Sequence, residues 1–186
     1  MKRTRKGFTL IELLVVISVL GAIAAMMSIS SGEAMTSAKA GNIINNLRNF
    51  VTAANEYYFD NMDKFYDATE SATAPDIIEV RYYMNKGVSD TSKIPENKLE
   101  NYLILTAEKA EGKTYAEVDW YVGYQFPTSG AGSEETLAIK TKLEGRATNI
   151  GLYGTAANPT AVDDIAFTKD HAVVWMKARE KSRRTN

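Results

Sequence analysis

Glu12 is the residue in this sequence whose placement demands a chemical reason. It stands in Phe8-Thr9-Leu10-Ile11-Glu12-Leu13-Leu14-Val15-Val16-Ile17, a run otherwise without charge. A carboxylate at membrane depth costs about 2.5–3.5 kcal/mol on insertion scales unless it is paired or protonated. Other chemistry is sparse. His171 follows Asp170, but no nucleophile motif such as G-x-S-x-G accompanies them, and a lone histidine at a strand edge reads as structural. Gly130 and Gly132 begin a G-x-G whose third glycine position holds Glu135, so no dinucleotide fingerprint exists. Asp60, Asp63, Asp163 and Asp164 offer oxygen ligands suited to calcium, without EF-hand spacing. The sequence has no cysteine and one histidine, which excludes disulfide frameworks, thiol nucleophiles and multi-His or Cys-based metal centres. No catalytic residue, cofactor or metal is expected, and the chain does not read as an enzyme.

What must position Glu12 is a helix. Lys2, Arg3, Arg5 and Lys6 precede it with no acid among them, and from Leu13 to Gly32 the chain is uncharged. As a helix that stretch spans roughly 30 Å, the thickness of a bilayer core. The four cations hold the N-terminus in the cytoplasm and send the chain after residue 32 outward. Three readings compete: a secretory signal peptide with small residues at Ala22–Ala25, a plain single-span anchor, and a leader followed by an assembly helix. Signal peptides and plain anchors have no use for Glu12.

The stretch Gly7-Phe8-Thr9-Leu10-Ile11-Glu12, followed by Leu13-Leu14-Val15-Val16-Ile17, resembles the class III signal of type IV pilins and type II secretion pseudopilins. The resemblance covers residues 1 to about 32. It implies a prepilin peptidase/methyltransferase that cuts between Gly7 and Phe8 and methylates the new amine of Phe8. Residues four apart share a helix face and side chains lean toward the N-terminus. Glu12 therefore points at that amine, on its own chain or on a neighbour, and serves assembly. Removing four cations from a chain of net charge −1 leaves −5. The implied partners are copies of this chain, related minor pilins or pseudopilins, an inner-membrane assembly platform and the membrane, without nucleic acid. The precursor would sit in the inner membrane as a single-pass protein, N-terminus cytoplasmic, and end in a surface pilus or a periplasmic pseudopilus. A type IV pilus-like filament subunit leads; a secretion pseudopilin is the alternative, and a membrane-tethered enzyme or binding domain a further one.

The expected domains are a leader (1–7), a transmembrane and assembly half-helix (8–32) and a globular pilin-like domain outside the membrane (33–186). Ile43, Ile44, Leu47, Phe50, Val51, Ala54, Tyr57 and Tyr58 recur at three- and four-residue steps, which predicts one long helix from Phe8 to about Asp60. Its stretch Ser28, Ser30, Ser31, Gly32 is poor in helix formers; continuity is expected in the free subunit and local unwinding in a polymer. Beyond it, 61–74 reads as loop, Asp76–Lys86 as a short helix stopped by Gly87, and Pro95–Lys109 as another. Val118–Phe126 reads as a strand ending at Pro127, Thr128–Gly132 as a turn, and Ser133 as the N-cap of a helix to about Ala147. Residues 149–164 read as loop and Ala172–Lys177 as a second strand. Layer logic makes this an α+β fold, a long N-terminal helix against a small C-terminal antiparallel sheet with short helices. The aromatics Phe50, Tyr57, Tyr58, Phe59, Phe65 and Tyr66 read as core packing. Lys177, Arg179, Lys181, Arg183 and Arg184 against Glu180 make residues 177–186 formally +4. That suits a solvated terminus, a contact with the acidic remainder of another subunit, or a weak DNA- or surface-binding patch.

Overall fold

The expected long helix runs unbroken from Leu10 to Asp60, 51 residues (α1), about 76 Å at 1.5 Å per residue. The structure is a computed structural model that describes residues 8–66, 75–84, 96–107, 114–127, 133–155, 162 and 165–180, with backbone alone at 28–31 and 96–98. The weak helix formers between Gly21 and Gly32 do not interrupt α1. Its two halves live in different surroundings. The described side chains from Phe8 to Met35 are exposed, whereas Ala40, Ile43, Ile44, Leu47, Phe50, Ala53, Ala54, Tyr57 and Tyr58 are buried. The first half is long and apolar enough to cross a membrane.

The partner of the buried stripe is a four-stranded sheet, every neighbouring pair antiparallel, in the order β1-β2-β4-β3. Its strands are Tyr102–Thr106 (β1), Trp120–Gln125 (β2), Leu152–Thr155 (β3) and Val173–Arg179 (β4). Short helices Met62–Tyr66 (α2) and Ile77–Arg81 (α3), and the longer Glu134–Ile150 (α4), complete the fold. Asp76 caps α3 by accepting from the Ile78 amide at 3.0 Å. Ser133 caps α4 through the Thr136 amide at 3.2 Å, as its sequence position predicts. An ion pair between Lys39 and Glu135 ties the first turn of α4 to α1.

Three expectations are corrected. The expected helix over 95–109 is not formed in its described part, 96–107: a 3₁₀ segment, Glu96–Asn101, leads into β1. Tyr102-Leu103-Ile104-Leu105-Thr106 is a short apolar run that periodicity cannot assign, and the cross-strand match Tyr102↔Tyr124 through Thr106↔Trp120 decides for strand. The loop of 149–164 contains β3, because Gly151 at φ 68° ends α4 in the left-handed region and turns the chain into an extended path beside β4. The loop of 61–74 begins with α2, whose Phe65 is buried. The turn 128–132 and the stop at Gly87 lie outside the described residues.

The core under the sheet is aromatic. Trp120 is fully buried, with ring centroids 4.8 Å from Phe65 and 5.5 Å from Tyr58. On the other face Tyr121, Val173 and Trp175 form a smaller buried cluster. There Gly123 of β2 leaves room for the Trp175 indole. A Cβ on Gly123 would lie 2.4 Å from the Trp175 ring, and the Trp175 Nε1 donates to Thr155 Oγ1 at 2.8 Å. Gly123→Ala should therefore push the indole off its hydroxyl partner and cost about 1–3 kcal/mol, the usual range for overpacking. A urea midpoint equal to wild type would show that the indole has room to shift.

Burial pushes the Tyr58 hydroxyl up to about 12, against the opposing influence of the Arg179 cation. A phenol whose folded value exceeds its unfolded value near 10 contributes stability below pH 10 that fades as pH climbs toward 12. Alkaline titration of the folded protein should show unfolding setting in over that window. Tyr58→Phe should flatten the loss; an unchanged alkaline limb would exclude Tyr58 as its source.

Candidate functional site

The start of α1 is built by a side-chain pair. Thr9 is extended at φ −79°, ψ 151° and caps the helix. Its Oγ1 accepts from the Glu12 amide at 3.3 Å, while Glu12 Oε2 accepts from the Thr9 amide and the Thr9 hydroxyl, each at 2.8 Å. This is a capping box, in which two orphan amides of the helix start are satisfied reciprocally. The carboxylate also sits at the positive end of the helix dipole.

Glu12 is thus directed toward the N-terminus as its position predicts. Its immediate partner is Thr9, one residue beyond Phe8, which lies outside the helix and is 84% exposed. Oε1 takes no hydrogen bond among the described residues, so the carboxylate keeps capacity for one more donor. Gly7 lies outside the described residues. Thr9 is the participant that residue-by-residue reading missed, although Thr-x-x-Glu before an apolar run is a legible capping signal. Phe8, Ile11, Glu12, Val15 and Val16 line a shallow groove here. Glu12 is the lone charge between Leu10 and Gly32.

The other chemistry-bearing residues do not converge. His171 Nδ1 accepts from the Thr168 amide at 2.9 Å, and its ring lies 5.9 Å from that of Phe167. It folds the 168–171 turn. Among the described residues no three His, Cys, Asp or Glu side chains gather as metal ligands. Asp60 and Asp63 are exposed near the end of α1, and Asp163 and Asp164 fall outside the described residues. Of the six aromatics at the end of the helix, Phe50, Tyr57, Tyr58 and Phe65 are core, but Phe59 and Tyr66 are exposed.

The basic tail is corrected in part. Lys177 and Arg179 belong to β4 and are engaged. Lys177 Nζ is 3.3 Å from Asp119 Oδ2 and lies over the Tyr121 ring at 5.5 Å. The Arg179 guanidinium stacks over Tyr58 at 3.5 Å from the ring centroid and donates to the Ala116 carbonyl at 2.9 Å. Lys181, Arg183 and Arg184 fall outside the described residues. Arg179→Ala should cost about 1–2 kcal/mol of stability through the stacked cation, whereas a chain ending at Glu180 should melt like wild type. Equal melting of Arg179→Ala and wild type would mean the stacking contributes nothing.

Residues 2–28 match the family model described as the prokaryotic N-terminal methylation motif. The expected class III signal of type IV pilins and pseudopilins is present, and it covers the capping box and the apolar helix. Comparison with curated proteins and with solved structures finds no match.

Proposed function

We propose that this chain is a structural subunit of a type IV pilus-like filament, made as a single-pass inner-membrane precursor with its N-terminus in the cytoplasm. A prepilin peptidase/methyltransferase cleaves it between Gly7 and Phe8 and methylates Phe8. Residues 8–32 then serve as the membrane and assembly half, and the rest forms the domain displayed outside. One observation carries this reading. The methylation motif opens a helix whose first half is bare and apolar while one face of its second half is buried against a folded domain. Capping employs Oε2 of Glu12 on Thr9; in a helix that packs among copies of itself the carboxylate also meets the amine of Phe8. The chemistry is electrostatic pairing and burial, with no turnover.

Mass spectrometry of the membrane-extracted protein tests the processing. A chain beginning at methylated Phe8 supports the reading, and one beginning at Met1 overturns it. Electron microscopy of sheared surface material, with and without the protein, then separates a surface pilus from a periplasmic secretion pseudopilus built from the same kind of subunit.

A further inference from the structure

The outer edge of β3 is covered from within the chain. The Gly154 amide donates to the Ile165 carbonyl at 3.0 Å and the Phe167 amide to the Leu152 carbonyl at 2.9 Å, with Tyr153 bridging Ala166. These bonds occupy backbone groups that an open edge would offer to any other strand. The covering strap, 165–167, is held at its far end by the turn 168–171 and by Ala172. There the His171 amide donates to the Thr168 carbonyl and the Ala172 amide to the Thr155 carbonyl, each at 3.1 Å. The Ala172 carbonyl in turn accepts from the Phe126 amide at 2.9 Å.

The His171 ring fixes that turn onto β3. Its Nδ1 accepts from the Thr168 amide at 2.9 Å, which assigns a neutral ring with its proton on Nε2. A Cβ on Gly154 would lie 2.2 Å from the same Nδ1, so the imidazole rests directly on the β3 backbone. Phe167 flanks it at 5.9 Å between ring centroids and stacks in turn on Phe126 at 6.2 Å. An imidazolium carries a proton on both nitrogens and has no lone pair to give. Turning the ring over cannot restore an acceptor. Thr168 Oγ1, 3.1 Å from Nδ1, can receive the added proton, but the Thr168 amide then loses its partner. Water replaces that partner once the turn lifts off Gly154.

The charged groups nearby are few. Lys169 and Asp170 stand exposed beside His171 on its own turn. Lys140 of α4 lies over the Phe126 ring at 5.0 Å and is attracted by the Asp170 carboxylate. β3, Leu152–Thr155, brings the Tyr153 phenol and no charge. We infer that His171 is an acid-released latch: its neutral ring holds the strap over β3, and protonation of Nδ1 frees the turn and opens that edge of the sheet. Imidazole takes up its second proton in mildly acidic water, so the edge is closed at neutral pH and uncovered in acid. The latch stands whether or not the chain enters a filament.

Hydrogen exchange of the detergent-solubilised full chain tests this, resolved to single amides and expressed as protection relative to an unstructured chain at the same pH. Between about pH 7.5 and pH 5, protection at Gly154 and Phe167 should fall about tenfold. Ala107 on β1, bonded to the Asp119 carbonyl at 2.7 Å, should hold its value. His171→Gln offers Thr168 an amide oxygen that does not titrate, so its protection should stay level across the range. Asp170→Asn should keep the wild-type fall, and ring nitrogen shifts at neutral pH should place the proton on Nε2. Equal protection of Gly154 and Phe167 at both pH values in the wild type overturns the latch, whatever the variants do. A fall that survives His171→Gln, or vanishes in Asp170→Asn, assigns the response to another group and overturns it as well. So does a neutral ring with its proton on Nδ1. A fall shared equally by Ala107 is general acid unfolding and overturns a local device.

Discussion

On the proposed reading, Glu12→Val should leave this protein in the membrane and remove it from filaments. The substitution deletes the lone charge of the apolar segment, which favours insertion by about 2.5–3.5 kcal/mol. It also deletes two interactions. One is half of the capping box, since the Thr9 amide and hydroxyl lose the Oε2 acceptor that holds them at 2.8 Å. The other is the proposed pairing with the amine that cleavage creates on Phe8. The cap and the charge can be separated. Glu12→Gln keeps an oxygen for Thr9 and the helix start intact, but it carries no charge for an ammonium. We expect filament yield to fall at least tenfold for both variants while cleavage continues. Gly7→Val acts earlier, retaining the precursor at full length with its basic leader attached. Normal filament yield from Glu12→Gln would assign the residue to capping alone. Normal yield from Glu12→Val would make it a carboxylate at the membrane edge with no part in assembly.

The second large effect lies in the core. Trp120→Ala should cost about 3–5 kcal/mol, a large share of the 5–15 kcal/mol that usually holds a domain together. Trp120 joins four pieces of the structure. Its ring meets Tyr58 of α1 and Phe65 of α2, its Nε1 donates at 2.8 Å to the Tyr115 carbonyl in a second 3₁₀ turn, Tyr115–Glu117, and its backbone is the first residue of β2. Trp120→Phe keeps an aromatic face and loses the carbonyl bond, so it should fall between wild type and alanine. Thermal or urea unfolding of the detergent-solubilised protein reads both. A loss below 1 kcal/mol for alanine would mean that Phe65 and Tyr58 close the gap by themselves.

How much of this could be read from residues alone follows from how local each signal is. The helix Leu10–Asp60 was legible because its apolar stripe repeats for many turns and no proline interrupts it. Ser133 and the β2 and β4 runs were legible for similar reasons, a cap residue before a periodic segment and clusters of aromatic and β-branched residues. β1 and β3 were not. Tyr102–Thr106 is too short for its period to declare itself, and Leu152–Thr155 is a strand because β4 lies beside it, which is a fact about distant residues. The engagement of Arg179 was hidden for the same reason: nothing near it in sequence announces Tyr58 or Ala116. At the candidate site Gly7, Phe8 and Glu12 stood out, since a charge in an apolar run and a Gly-Phe junction are visible letter by letter. Thr9 requires seeing that the same glutamate can serve the helix that carries it.

The strand order has a consequence for how the molecule is made. β4, latest of the strands in the sequence, lies between β2 and β3 and pairs with both. Synthesis proceeds from the N-terminus, so α1 is made while the sheet still has an open slot between β2 and β3. β2 and β3 cannot meet each other; each waits for Val173–Arg179. Until that segment is made, the stripe of α1 from Phe50 to Tyr58 lacks the part of its cover that β4 supplies, including Arg179 over Tyr58. A nascent chain stalled before residue 173 therefore keeps an incomplete core, and maturation of the domain is timed by the arrival of its last strand.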